Sequence, residues 1–594
     1  MNFIKTFLAS VLGTVIGLFL LLFILFVSLV STSGETEPHI RSNTVLTLEL
    51  SGGIPARLAD DPFRDLIETT PGDRLSLELL KNNLEKAAAD DRITGIWLKV
   101  NRISESWGNL ETAYHYLNEF REQSGKFIYA STDDLGMNEN AYFLASTADS
   151  IFSPPQTYFE FNGFVVQTSY YKDMLDRIGI EPEIMRVGSY KSAVEPFIRE
   201  DSSPEHREQM MSILNSTSGT FVSAVEDRRN TPAGRINELM EEIPENSVEW
   251  ALEAGLIDAI AHPHEVEATL RNRLGLDDDA DIRTVSLNRY NRVESGSAGL
   301  EESGGGNRIA VIYASGIIIP EPVGGPFSND PVITASNIRE SLEASLDDDD
   351  VKAIVLHIDS GGGAVSTSEL IWGYIREAAE KKPLIAYMGN VAASGGYYIA
   401  MGADTVMASP NTITGSIGIY NLMFNSRELF NDKLGIDFSE FKTHEHADMA
   451  LMNRPLSESE RRALQRSVEN GYETFLDRVA AGRDMTRDEV HEVARGRVWT
   501  GTQAREVNLV DLLGTLDDAI AVAAEKADIE EYGIVTYPER KGIMDMLFRS
   551  TGARVSGWIR SLVPYPDDIL TVEQLMKHNA GKNWALLPVN YTID

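Results

Sequence analysis

The 594-residue chain contains no cysteine, which excludes disulfides, thiol nucleophiles and thiolate metal sites. It is also short of positive charge. Against 90 Asp and Glu stand 53 Lys and Arg, a formal net charge of −37. A balance of that sign argues against nucleic acid and anionic lipid surfaces as partners. No single acidic run accounts for it, although Asp277–Asp279 and Asp347–Asp350 are local clusters, so it reads as a solvated acidic surface. Histidine is scarce where chemistry would need it. His444 and His446 flank Glu445 without metallopeptidase spacing, His491-Glu492 lacks a second histidine, and His357 lies in a buried-strand pattern. No Ser/His/Asp arrangement stands out, and no metal or cofactor is expected.

Long apolar runs are absent with one exception. The 24 residues from Phe7 to Val30 (FLASVLGTVIGLFLLLFILFVSLV) carry no charge. That length spans a bilayer with some tilt and exceeds the apolar core of a cleaved signal peptide. Lys5 precedes the run, whereas Glu35 and Glu37 follow it. The positive-inside rule then puts residues 1–6 in the cytoplasm and everything after Thr32 outside. The expectation is an uncleaved single-pass anchor at 7–30, with the lipid bilayer as its partner.

After the anchor the sequence repeats itself. The strand-like opening Asn43–Pro55 pairs with Asn307–Pro320, Gly95–Val100 with Ala353–Ile358, and Ala148-Asp149 with Ala403-Asp404. Ile178–Ile180 then pairs with Leu434–Ile436, and Gly255–Asp258 with Asn508–Asp511. The separation drifts from 264 residues at Asn43/Asn307 to 253 at Gly255/Asn508, as small gaps in a diverged duplication would make it. Two domains are therefore expected, 43–293 and 307–537. The stretch 294–306 (ESGSAGLEESGGG) is their flexible linker and 538–594 a tail, with one candidate amphipathic helix at 543–562.

Within each half, β-branched runs alternate with helical patterns. Ala353–Ile358 and Leu384–Tyr387 read as buried strands. Ser366–Lys381, with Leu370, Ile371, Tyr374, Ile375 and Ala378, reads as the helix between them. This βαβ pattern predicts an α/β fold with parallel sheets. Further on, Ser457–Ala481 reads as a long helix with a charged face.

Two loops of the second half carry the chemistry. Val351–Ile358 ends in Asp359-Ser360-Gly361-Gly362-Gly363, where backbone N–H groups can turn toward an anion. The Gly-Lys-Ser/Thr of a phosphate loop is missing, which leaves an oxyanion hole or a plain tight turn. The next strand runs into Ala392-Ala393-Ser394-Gly395-Gly396. A serine so placed, opening a helix between small residues, exposes its hydroxyl and lends the following N–H to an oxyanion. Close helix packing through small residues would leave the same pattern. A nucleophilic serine needs a base. With histidine unsuited, lysine is the next candidate.

Tyr190-Lys191-Ser192-Ala193-Val194-Glu195-Pro196-Phe197, with Asn390–Tyr398 and Asp359–Gly363, resembles the long, two-domain form of the signal peptide peptidase A family. The resemblance runs from the anchor to about residue 537. It implies that Ser394 is the nucleophile, Lys191 the general base, and Ser416, in Thr414-Gly415-Ser416-Ile417-Gly418, the serine that orients the lysine. It implies a duplicated crotonase-like (Clp-protease-like) fold of ββα repeats and a bowl-shaped homotetramer. The implied enzyme is a serine endopeptidase that degrades cleaved signal peptides and other apolar peptides on the periplasmic side of the bacterial inner membrane.

The repeat bears on this independently. In the Asp149/Asp404 register Ser394 falls on Glu139, and in the Ile180/Ile436 register Lys191 falls on Ala447. Each half lacks what the other supplies. In the expected mechanism Lys191 takes the proton of Ser394, which attacks a peptide carbonyl. Gly395 and the Gly361–Gly363 loop hold the oxyanion, and Lys191 protonates the leaving amine. Free lysine has a pKa of about 10.4, so the amine must be desolvated to serve. Val194, Phe197 and Ile198 are candidates for that work, and Glu195 would oppose it if it faced the amine. An acyl-CoA enzyme and a non-catalytic membrane scaffold are the competing readings. The first conflicts with an extracytoplasmic site, the second with an intact serine and lysine.

Overall fold

The structure is a computed structural model that describes residues 37–58, 75–133, 136–242, 246–300, 306–321, 331–449 and 451–539. The backbone of 584–586 and the helical residues Gly13, Thr14 and Gly17 are also described. The expected anchor otherwise lies outside the described residues, as does the tail helix at 543–562. Among the described residues, no helix is long and apolar enough to cross a membrane.

The first half carries β1 (Thr44–Gly52), β2 (Ile93–Ile103), β3 (Phe127–Ser131), β4 (Ser150–Ser153), β5 (Glu181–Val187), β6 (Ala259–Ile260) and β7 (Arg283–Ser286). Six of them form one sheet in the order β6-β4-β3-β2-β1-β7, with every neighbouring pair parallel. Helices α1 (Leu77–Ala89) and α2 (Trp107–Ser124) make the crossovers that parallel strands require. Ser76 caps α1 by accepting the Leu79 N–H, and Gly125 ends α2 in the left-handed conformation. Helices α3 (Glu139–Ala145) and α4 (Pro204–Arg229) complete the parts used below.

The second half repeats the plan with β8 (Arg308–Ser315), β9 (Val351–Ser360), β10 (Gly362–Ala364), β11 (Leu384–Ala393), β12 (Ile413–Gly415), β13 (Ile419–Asn425), β14 (Val498–Thr500) and β15 (Gly533–Tyr537). The row β14-β12-β11-β9-β8-β15 is parallel except at β14, which runs antiparallel to β12. Helices α5 (Val365–Ala379), α6 (Gly395–Ala400) and α7 (Glu458–Arg483) pack over it. The expected helix at 366–381 is thus α5, one residue earlier at its start and two at its end. Ile371, Ile375 and Ala378 are buried, whereas Leu370, expected on the apolar face, is exposed.

Equivalent bonds recur in both halves. Tyr142 Oη donates to Leu256 O at 2.7 Å, and Tyr397 Oη to Leu509 O at 2.7 Å. Asp149 accepts the Ile128 N–H as Asp404 accepts that of Leu384, both at 2.9 Å. Asp258 takes the Ile151 N–H and pairs with Arg229, just as Asp511 takes the Val406 N–H and pairs with Arg483. Lys126 Nζ binds the carbonyls of Ala87 and Asp90, and Lys382 Nζ those of Ser345 and Asp348. Asp149, Asp404, Asp258 and Asp511, among the residues that reveal the duplication in sequence, each make one of these paired bonds.

A third sheet fastens the halves together. β5 of the first half pairs antiparallel with β13 of the second, from Glu181↔Asn425 to Val187↔Ile419. The strand β16 (Trp584–Leu586), from the tail, lies between β13 and β10, antiparallel to both. The expected linker is described only at 294–300 and at 306, and its first part is less free than its composition suggested. Gly296–Ala298 forms a 3-10 turn with Ala298 buried, and Ser297 O accepts from Arg92.

Candidate active site

Lys191 lies four residues beyond β5, just before the short 3-10 turn Ser192–Val194. The pairing of β5 with β13 carries that turn over the second half. Ser394 ends β11 and opens α6 in an unusual conformation, φ 55° and ψ −113°. A non-glycine residue at positive φ stores strain of the kind found at nucleophile turns. Ser416 follows β12, also at positive φ, 51°.

The three side chains meet. Lys191 Nζ lies 2.7 Å from Ser394 Oγ and 3.0 Å from both Ser416 O and Ser416 Oγ. All three residues have 0 % exposure. A neutral amine satisfies this geometry fully: its two N–H groups donate to Ser416 O and Oγ, and its lone pair accepts the Ser394 hydroxyl. Burial drives the Lys191 pKa well below the ordinary lysine value, and no other cause contributes.

Glu195 does not oppose that shift. Its carboxylate accepts from Ser203 Oγ at 2.7 Å and Ser203 N at 3.1 Å, with Arg186 Nη1 3.8 Å away. Of the apolar candidates for desolvation, Val194 is buried beside Tyr420 and Leu422, and Phe197 packs on that cluster. Ile198 is exposed and supplies nothing.

The glycine loop sits against the start of α6, next to Ser394. A Cβ on Gly395 would fall 3.0 Å from Gly363 N and 2.8 Å from Ser368 Oγ, so only glycine lets the start of α6 press onto β10. One expectation is corrected: the N–H of Gly362 donates to Ser360 Oγ at 3.1 Å and is spent locally. Gly363 is paired in the sheet with Ile318 on one side and Ala585 on the other, and Gly395 opens α6 directly after Ser394. β16 runs along this same loop, with Gly363 opposite Ala585.

Glu139, in the register of Ser394, is buried, and its Oε1 accepts the N–H groups of Asn162 and Gly163 at 2.7 and 3.0 Å. Ala447 is exposed, far from any such site in character. His357 is buried between the rings of Tyr313 and Tyr387, its pKa lowered by burial to about 4. His446 pairs with Glu460, and His491 contacts Tyr472 Oη. Among the described residues no cluster of three His, Asp or Glu is spaced to hold a metal ion.

One contributor escaped the sequence reading, the segment Arg495–Val498. Arg495 O accepts the Tyr190 N–H at 2.9 Å, Arg497 O accepts the Ser416 N–H at 2.7 Å, and Gly496 N donates to Ile417 O at 2.8 Å. A Cβ on Gly496 would stand 2.5 Å from Lys191 N, so Lys191 and Ser416 are both seated on this segment. The glycine between two arginines just before a strand was its sequence signal.

The pattern of peptidase family S49 matches residues 121–277 and 376–530, one stretch in each half. The chloroplastic serine protease SPPA of Arabidopsis thaliana is 34 % identical over 552 residues, covering 91 % of this chain and 78 % of the relative. Protease 4 of Salmonella typhi is 34 % identical over 507 residues, covering 82 % and 77 %. Protease 4 of Haemophilus influenzae is 30 % identical over 514 residues, covering 83 % and 81 %. A mutant ClpP1 of Listeria monocytogenes superposes with a TM-score of 0.24 at 15 % identity over 35 % of this chain and 94 % of that one, too low to bear on the fold. The chain is therefore a serine protease of peptidase family S49, a long, two-repeat member of the signal peptide peptidase A group.

Proposed function

We propose that Ser394 and Lys191 form the catalytic dyad, with each half of the duplication supplying one member. The observation that carries this reading is the 2.7 Å contact between Lys191 Nζ and Ser394 Oγ inside a fully buried site. Lys191 accepts the Ser394 proton as Oγ attacks the peptide carbonyl. The N–H groups of Gly395 and Gly363 receive the oxyanion, Lys191 returns the proton to the leaving amine, and water hydrolyses the acyl-enzyme. Ser416 holds the amine by two bonds.

The substrate is an extended peptide that pairs with β10 on the side that β16 occupies in this structure, taking the place of β16. Cleaved signal peptides and similar apolar peptides are the proposed substrates. The apolar run at 7–30 anchors the chain in the bacterial inner membrane, with both halves on the periplasmic side, as a homotetramer. Ser394→Ala and Lys191→Ala are each expected to lower kcat by roughly a thousandfold or more while the protein stays folded. Lys191→Arg fails equally, because guanidinium stays protonated. Turnover of a peptide by either alanine variant at the wild-type rate would overturn the dyad.

A further inference from the structure

The base and the nucleophile belong to different halves, so their contact depends on what fixes the Lys191 turn against the second half. The backbone bond from Tyr190 N–H to Arg495 O does part of this. A second, fully buried tie runs through one side chain of α4. Gln209 is completely buried. Its Nε2 donates to Ser192 Oγ at 2.8 Å and to Tyr190 O at 3.3 Å, the residues on either side of Lys191. Its Oε1 accepts the Val498 N–H at 3.2 Å, at the start of β14. The Val498 donor fixes which end of the amide is oxygen, and every polar atom of Gln209 is used.

The network continues in one direction. Ser192 Oγ, having accepted from Gln209, donates to His206 Nδ1 at 2.8 Å, and His206 Nε2 meets Thr168 Oγ1 at 3.4 Å. This requires neutral His206, and burial lowers its pKa accordingly. The other charged groups round the turn have partners of their own, some of them on the turn itself. Glu195 is on Ser203, and Arg186 Nη1 donates to Lys191 O at 3.3 Å. Arg497 pairs with Glu208, which also accepts from Tyr190 Oη. Arg495 pairs with Glu492. Lys191 Nζ itself meets Ser394 and Ser416.

We infer that Gln209 is a positioning residue for Lys191: it staples the turn that bears the base to β14 in the half that bears the nucleophile. The inference rests on the assignment of Lys191 as the base. An apolar side chain of similar size at 209 leaves Val498 N–H without its partner and takes one of two donors from Tyr190 O, which keeps the Ser192 N–H, so the turn is free to shift. The amine then loses its fit to Ser416 and Ser394 and gains water, which moves its pKa back up toward that of free lysine.

The test compares wild type, Gln209→Leu, Ser192→Ala and Lys191→Ala in the full-length protein. The substrate is a short apolar peptide, with active sites counted by a fluorophosphonate serine probe. Gln209→Leu is expected to lower kcat per titrated site by roughly tenfold, with KM within about twofold, and to move the acid limb of the kcat–pH profile to higher pH. Ser192→Ala, which removes one of the amide's anchors, shifts both in the same direction by less. If Gln209→Leu keeps the wild-type kcat per site and an unmoved acid limb, at whatever Tm, Gln209 is a structural residue and the inference falls. Should that variant not fold, the same readouts on Ser192→Ala decide. Turnover by Lys191→Ala would instead sink the dyad, whereas an inactive Lys191→Ala beside an unaffected Gln209→Leu sinks this inference alone.

Discussion

Glu139 in the first half and Ser394 in the second each stand three residues before a buried tyrosine that closes the same turn, Tyr142 on Leu256 O and Tyr397 on Leu509 O. Around them the scaffold bonds match pair for pair, from Asp149 and Asp404 to Lys126 and Lys382. At the position itself everything differs. The serine faces a lysine, while the glutamate takes two backbone N–H groups for itself. What both halves keep is what closes a parallel α/β domain. What each has lost is the residue the other provides. A duplicated fold can divide one site between its copies because the bonds that hold the fold lie away from the bonds that do chemistry.

The largest test of that contrast lies in the first half. Burial pushes the Glu139 carboxyl from 4.5 up to about 7. Between those values the folded chain holds a proton that the unfolded chain releases, so stability is fully present below about 4.5 and falls as pH rises through 7. Glu139→Gln keeps a carbonyl acceptor for Asn162 and Gly163 and removes the titration. The variant should flatten that decline by about 3 kcal/mol at most, read from denaturant unfolding at a series of pH values, with kcat unchanged. A lost kcat would mean that the first half's pocket takes part in the reaction.

Next come the paired tyrosines. Tyr142→Phe and Tyr397→Phe each leave a buried carbonyl without its donor, at a cost of about 1–3 kcal/mol. Unfolding should report similar losses for both. Activity should fall for Tyr397→Phe alone, since Tyr397 lies on α6, which Ser394, the proposed nucleophile, opens. Equal losses of activity would erase the distinction between scaffold half and nucleophile half.

The smallest effect is expected at Ser416. Ser416→Ala removes one of two bonds to the lysine, worth about 0.5–1.5 kcal/mol or roughly a twofold to tenfold fall in kcat/KM. An unchanged rate and pH profile would assign Ser416 to the turn after β12.

Much of this was legible in the chain, and for physical reasons. Asp149 and Asp404 mark the repeat because a carboxylate that accepts a backbone N–H cannot be replaced without orphaning it. Ser394 stood out because small neighbours are what a sharp strand-to-helix turn needs, although its hydroxyl, expected to be exposed, is fully buried. What stayed hidden depends on the docking of distant segments. No periodicity announces that β5 pairs with β13, more than two hundred residues on. The burial of Val194 but not Ile198 depends on which face of the turn meets Tyr420. That Glu195 points at Ser203 and spares the lysine is likewise a matter of side-chain direction. Gly362 was grouped with its neighbours because sequence cannot show that Ser360 Oγ takes its N–H.

The claim that a base in one half activates a nucleophile in the other is tested most directly by the rate at which a fluorophosphonate probe labels Ser394 across a pH series, in wild type and in Lys191→Ala. Burial lowers the lysine pKa. Labelling of the wild type should therefore rise with pH, with a midpoint below the free-lysine value of about 10.4. The Lys191→Ala protein, folded to the same Tm, should label at a small fraction of that rate without the titration. Labelling of Lys191→Ala at the wild-type rate with the same pH dependence would contradict the account.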